Sequence, residues 1–155
     1  MTNSLKSSAP QGARAIVLSI KPKYAELILA GSKTVEFRRV WAAKEVDTIA
    51  IYASAPVQGL VGVVSVSSVV RAKPRILWEY CSKRGGGLSR NQLYAYFDGK
   101  ETGVAVLLEN VQRFSRNIDP KKVIKGFSAP QSFRYLTPAD VIKLQKAIQR
   151  SEGSQ

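Results

Sequence analysis

The sequence predicts an α+β fold, a mixed β-barrel of about five to six strands surrounded by short α-helices. Three observations carry that expectation. The apolar segments are mostly short and rich in β-branched residues, which pack well on a pleated surface. The helical patterns between them are brief, so the long crossover helices of a doubly wound sheet are missing. The longest apolar run, Leu60 to Val70, is interrupted by Gly62, which suits a strand that bends round a barrel.

Taken in order, Arg14 to Ile20 reads as a first strand. Pro22 to Ala30 reads as a helix, with Pro22 suited to its first position and Tyr24, Leu27 and Ile28 on one face. Gly31 supplies the residue that commonly stops a helix, and Thr34 to Val40 returns to strand alternation. Asp47 to Ala53 and Leu60 to Val70 are two further strands joined by a turn at Pro56 to Gly59. Pro74 to Lys83 and Ser89 to Phe97 read as helices, the second capped by Ser89, with Gly85-Gly86-Gly87 as a mobile hinge between them. Thr102 to Glu109 is a buried strand extended by Val111 to Phe114. Thr137 and Pro138 open a last helix with Val141, Leu144 and Ile148 inward. Phe133 and Tyr135 share a strand parity that favours the core, and Trp41 and Trp78 are expected inside. The division is a disordered arm at residues 1–13, one domain at 14–150 and a frayed tail at 151–155.

A length of 155 residues suits a single core without disulfides. Cys81 is the sole cysteine and sits in an apolar run, so a packed thiol in a reducing cytoplasm is expected. No segment approaches the length of a membrane span or a signal sequence, so no membrane partner is expected. The formal net charge of +13 is the strongest statement about partners. Such a surface attracts polyanions, RNA first and DNA second, through release of counterions from a phosphate backbone. The charges cluster in two regions: Arg71, Lys73, Arg75, Lys83, Arg84 and Arg90, then Arg113, Arg116, Lys121, Lys122, Lys125 and Arg134.

The chain has no histidine, which excludes a histidine-dependent triad and paired imidazoles, and one cysteine leaves no ordinary zinc site. No phosphate-cradling GxxxxGK pattern exists, and neither cofactor nor metal is expected. What remains is a toolkit of lysine, glutamate, arginine and tyrosine, concentrated in Gly31-Ser32-Lys33-Thr34-Val35-Glu36-Phe37-Arg38-Arg39. In a strand, Glu36 and Arg38 share one side, opposite Val35 and Phe37, while Lys33 in the turn can swing to either side. Glu36 is then a candidate general base, and Lys33 and Arg38 candidates to neutralise charge developing on a phosphate or carbonyl oxygen. The competing explanation is a salt bridge closing one end of the barrel, with Lys33 a solvated turn lysine.

Candidate nucleic-acid contacts surround this segment. Lys21 and Lys23 flank a helix N-terminus, where an anion would offset their unfavourable placement, and Arg39 extends the charged run. Tyr52 and Ser54 alternate with Ile51 and Ala53 and so share a face, taken as the cleft face. Ser128, Gln131, Ser132 and Arg134 form a second rim, where hydroxyl and amide groups could bond a base edge and a guanidinium hold phosphate.

The G-x-K-x-x-E-x-R run from Gly31 to Arg38 after a short helix, with Leu18-Ser19-Ile20-Lys21-Pro22-Lys23-Tyr24 before it, resembles the ASCH domain family of the PUA-like superfamily. Ile51-Tyr52-Ala53-Ser54-Ala55-Pro56, Ser89 to Gly99 and Pro130-Gln131-Ser132-Phe133-Arg134-Tyr135 extend the resemblance across about Ala15 to Leu144. It implies a PUA-like barrel and a range of activities: RNA binding, ribonuclease action and nucleoside amidohydrolysis. In the acetylcytidine amidohydrolases of that family a threonine stands at the place of Glu36, and this chain departs from them there. The preferred expectation is an RNA-binding domain with a charged nucleotide-accepting cleft, cleaving single-stranded RNA without a metal. An amidohydrolase or reader of a modified nucleoside is the first alternative, and a non-catalytic regulatory module that binds nucleic acid or protein is the second.

Overall fold

The computed structural model describes residues 14–153, so the arm expected at residues 1–13 lies outside them. The elements are β1 (Arg14–Ile20), α1 (Pro22–Leu29), β2 (Val35–Arg38), β3 (Val46–Ala53), β4 (Gly59–Ala72), α2 (Pro74–Lys83), α3 (Arg90–Tyr96), β5 (Gly103–Ile118), β6 (Phe133–Tyr135) and α4 (Pro138–Gly153). The six strands form one sheet in the order β2-β5-β4-β3-β1-β6. Only β1 and β3 pair in parallel, so the sheet is mixed, and it curls into a half-barrel.

Three apolar clusters hold it. The concave side is filled by Ile16, Leu18, Ile51, Val104 and Val106, closed by Ile28 and Leu29 of α1 and by Trp41. On the convex side Val17, Ala50, Tyr52 and Leu60 pack under Leu144 and Ile148 of α4. A third cluster joins Val35, Phe37, Ala105 and Leu107 to Leu77 and Cys81 of α2 and Leu93 of α3. Central strands are covered on both faces, which is why β1 reads as a nearly continuous apolar run.

Local chemistry sets the element ends. Gly31 stops α1 with φ of 83°. Ser89 and Gln92 form a capping box on α3, the serine hydroxyl accepting from the Gln92 amide at 3.1 Å and the Gln92 side chain from the Ser89 amide at 2.8 Å. Thr137 and Asp140 do the same on α4. The other Asp140 oxygen accepts from the Lys125 amide at 3.2 Å, so this buried carboxylate is fully bonded.

Several expectations change. Strand β2 ends at Arg38 rather than Val40, because the Arg39 side chain turns to α3 and Val40 is exposed. Strands β4 and β5 run longer than their apolar residues suggested; their main-chain ladder continues through polar positions, absorbing register shifts between Leu60/Gly62, Val63/Ser65 and Val66/Ser68. Helix α4 continues through residues expected to fray, since Ser115 donates its amide to Glu152 and its hydroxyl to the Ser151 carbonyl. The Gly85–Gly87 segment is packed rather than a free hinge. The Gly86 amide bonds the Cys81 carbonyl at 2.9 Å, and a Cβ on Gly86 would collide with the Cys81 sulfur.

Candidate active site

Among the described residues, strand β2 lies at one end of the sheet and bonds only to β5, and β6 lies at the other end and bonds only to β1. The curl brings these ends together without main-chain pairing, and Arg38 spans the seam. Its Nη2 donates to the Ser19 carbonyl at 2.8 Å, and its Nη1 makes a long 3.5 Å contact with the Ser132 hydroxyl. Strand parity behaves as expected: Val35 and Phe37 enter the third cluster, while Glu36 and Arg38 stand opposite Val106 and Val104 on the concave side.

The arrangement around Glu36 is asymmetric. Its Oε2 accepts twice from Arg38, from Nη2 at 2.7 Å and Nε at 3.1 Å. Its Oε1 has the Lys33 ammonium at 3.6 Å. Glu36 is 8% exposed and Lys33 3%. Lys33 is therefore no solvated turn lysine. Its Nζ donates to the Gly86 carbonyl at 2.5 Å and sits over the rings of Tyr24 and Phe37, 5.4 and 5.6 Å from their centroids. Burial pushes its pKa below the ordinary lysine value, and the Glu36 carboxylate works against that shift.

Chemically, Oε1 of Glu36 is the less engaged carboxylate oxygen and Nη1 of Arg38 the less engaged guanidinium nitrogen. A proton acceptor and a cationic donor thus face one seam. Among the described residues, no group of three or more His, Cys, Asp or Glu is placed to hold a metal ion.

The remaining candidates divide. Ser132 joins the seam through Arg38, and its carbonyl accepts from the Ser19 amide at 2.9 Å. Lys21 and Lys23 are exposed at the start of α1, with the Lys23 amine 5.6 Å from the same Tyr24 ring that underlies Lys33. Ser128 and Gln131 are exposed on the loop leading to β6. Tyr52 is a correction: it belongs to the convex cluster, its ring 5.2 Å from that of Phe127, and faces away from Glu36. Ser54 lies past the end of β3, its amide tied to the Ile20 carbonyl and its own carbonyl accepting from Val57. Arg134 pairs with Val17, a convex-side position, and reaches the Lys125 and Gly126 carbonyls at 3.4 and 3.5 Å. Arg39 closes the end of α3, donating to the carbonyls of Tyr96 and Asp98 at 2.8 and 2.9 Å.

Folding also consumes part of the basic surface. Arg84 braces the Thr34 and Leu108 carbonyls, and Arg113 pairs with Glu26 at 2.6 Å. Arg71, Lys73, Arg75, Lys83 and Arg90 stay exposed in the first region, and Lys121, Lys122 and Lys125 in the second. Three participants escaped the sequence: Tyr24, Gly86 and Tyr96. The Tyr96 hydroxyl donates to the Phe37 carbonyl at 3.3 Å, between Glu36 and Arg38 in the chain. Burial raises its pKa, and the charge of Arg38 opposes the rise. Gly86 and Tyr96 meet the site across 53 and 59 positions of sequence, and Tyr24 was visible only as one residue of a helix face.

The ASCH domain family model matches residues 18–107. A protein of Zymomonas mobilis subsp. mobilis named ASCH domain-containing ribonuclease is 35% identical over 131 residues, covering 83% of this chain and 88% of that protein. The crystal structure of ASCH from Zymomonas mobilis superposes with a TM-score of 0.78 at 33% identity, covering 84% of this chain and 93% of the other. A tyrosine-to-phenylalanine variant of that protein gives 0.76, also at 33% identity, with coverages of 84% and 96%.

Proposed function

Because the chain belongs to the ASCH domain family, we propose that it binds RNA with a nucleotide in the Glu36–Arg38 seam and cleaves single-stranded RNA there without a metal. The observation that carries this reading is the Glu36–Arg38 pair at a gap between sheet edges, with, among the described residues, only the Lys33 ammonium at 3.6 Å on Glu36 Oε1 and a long 3.5 Å contact to Ser132 on Arg38 Nη1. The ribonuclease name of the Zymomonas relative supports the substrate class. In the proposed step Oε1 of Glu36 takes the proton of a ribose 2′-hydroxyl, and the 2′-oxygen attacks the adjacent phosphorus. The bond from phosphorus to the 5′-oxygen breaks, solvent protonates that oxygen, and a cyclic 2′,3′-phosphate remains. Arg38 faces the charge that gathers on the phosphoryl oxygens. Lys33, too enclosed to reach substrate freely, holds the Glu36 carboxylate in place from behind. The exposed lysines and arginines attract the backbone.

Single strands are favoured because bases in a duplex cannot turn towards side chains. The test is cleavage of end-labelled single-stranded RNA with chelator present, beside an identically purified Glu36→Gln protein. Cyclic-phosphate products from the parent protein and at least about a tenfold loss in the variant, equivalent to about 1.4 kcal/mol, are expected. Equal cleavage by both proteins would remove Glu36 from the reaction.

A further inference from the structure

We propose that the exposed ring of Tyr96 is the platform on which the base of the seam-bound nucleotide stacks; this rests on the RNA-binding reading above. Among the described residues few large apolar side chains are exposed, and Tyr96, at 39%, is the one that contacts β2 between its two charged residues. The Thr34 carbonyl accepts from the Leu108 amide and so faces β5. Carbonyl direction alternates along a strand, so that of Phe37 points to the free edge, towards the seam. Tyr96 bonds that carbonyl, which places its phenol at the edge spanned by the Arg38 guanidinium.

The ring is also fixed before anything binds. Its hydroxyl is held by the Phe37 carbonyl, its ring meets that of Phe97 in a T-shaped contact at a centroid distance of 4.9 Å and 73°, and its backbone carbonyl accepts from Arg39. A pre-set aromatic surface loses little freedom when it accepts a base. Tyr94 offers no equivalent. It lies on the opposite flank of the helix, two residues away, and the Arg90 guanidinium covers its ring at 5.5 Å. Stacking on a neutral phenol beside a cationic donor suits an unpaired nucleobase whose phosphate meets Arg38, and it tolerates any of the four bases.

The experiment compares two single-stranded RNAs of equal length, one with bases and one abasic throughout, in equilibrium binding to the intact chain. The parent protein is expected to prefer the base-bearing strand. In Tyr96→Leu that preference falls by about fivefold or more, the low end for a base on an aromatic ring, while in Tyr96→Phe it changes by less than about twofold. An equal loss on both strands in Tyr96→Leu, or none on either, overturns the proposal and leaves the seam reading in place. If the parent binds neither strand, the RNA-binding reading fails and this inference fails with it.

Discussion

Replacing Lys33 with methionine separates a functional ammonium from a structural one. Methionine keeps most of the side-chain length between the Tyr24 and Phe37 rings, so no large cavity opens. Two effects oppose each other. Removing the donor leaves the Gly86 carbonyl without its 2.5 Å partner, which costs about 1–3 kcal/mol. Against that, burial penalises the charged lysine more than Glu36 compensates it, since its pKa is lowered overall, and the variant is relieved of this penalty. Because the second offsets the first, the net loss stays below about 3 kcal/mol, a melting shift under about 10 °C for a domain of this size.

Glu36 meanwhile loses its second cation, and RNA cleavage falls at least about tenfold. A pH series supplies the readout that packing alone would not move. The folded state holds the Lys33 proton less tightly than the unfolded chain, whose value is the ordinary 10.5. The parent therefore gains stability as pH rises from the lowered folded value towards 10.5, and Lys33→Met lacks that gain. Chemical denaturation across that range, beside cleavage assays at neutral pH, decides the matter. A melting loss above about 10 °C with full activity in the remaining folded protein would make Lys33 a brace and refute the reasoning.

Three further outcomes are expected. If about five phosphates are engaged by the exposed lysines and arginines, log K for single-stranded RNA falls with log salt at a slope of roughly −3.5, and a titration that shows no salt dependence rules out backbone-led binding. Val35→Ala, at a fully buried position facing away from Glu36, lowers stability by about 1–3 kcal/mol by denaturant melt while specific activity of the folded protein persists. Gly86→Ala drives a methyl group at the Cys81 sulfur and to 3.0 Å from the Phe37 ring, so its melting temperature drops and cleavage drops with it as the Lys33 acceptor moves; an unchanged melt would restore the hinge interpretation.

What the sequence determined is local. Pro22 and Gly31 bracket α1, Ser89 caps α3, Thr137 opens α4, and period-two alternation puts Val35 and Phe37 opposite Glu36 and Arg38; each depends on neighbours a few residues away. The motif from Gly31 to Arg38 also carried the family. Tertiary structure decided which groups meet. Alternation shows that Tyr52 and Ile51 face opposite ways but not which way is the cleft, because β3 is covered on both sides; only the placement of α4 puts Tyr52 on the convex face. Charge pattern likewise could not reveal that Arg84 and Arg113 are spent on braces, or that Lys33 is buried against Gly86. The seam itself arises where the curled sheet fails to close. Arg38 meets Ser132 across 94 positions of sequence and Tyr96 meets Phe37 across 59, distances over which no local propensity acts.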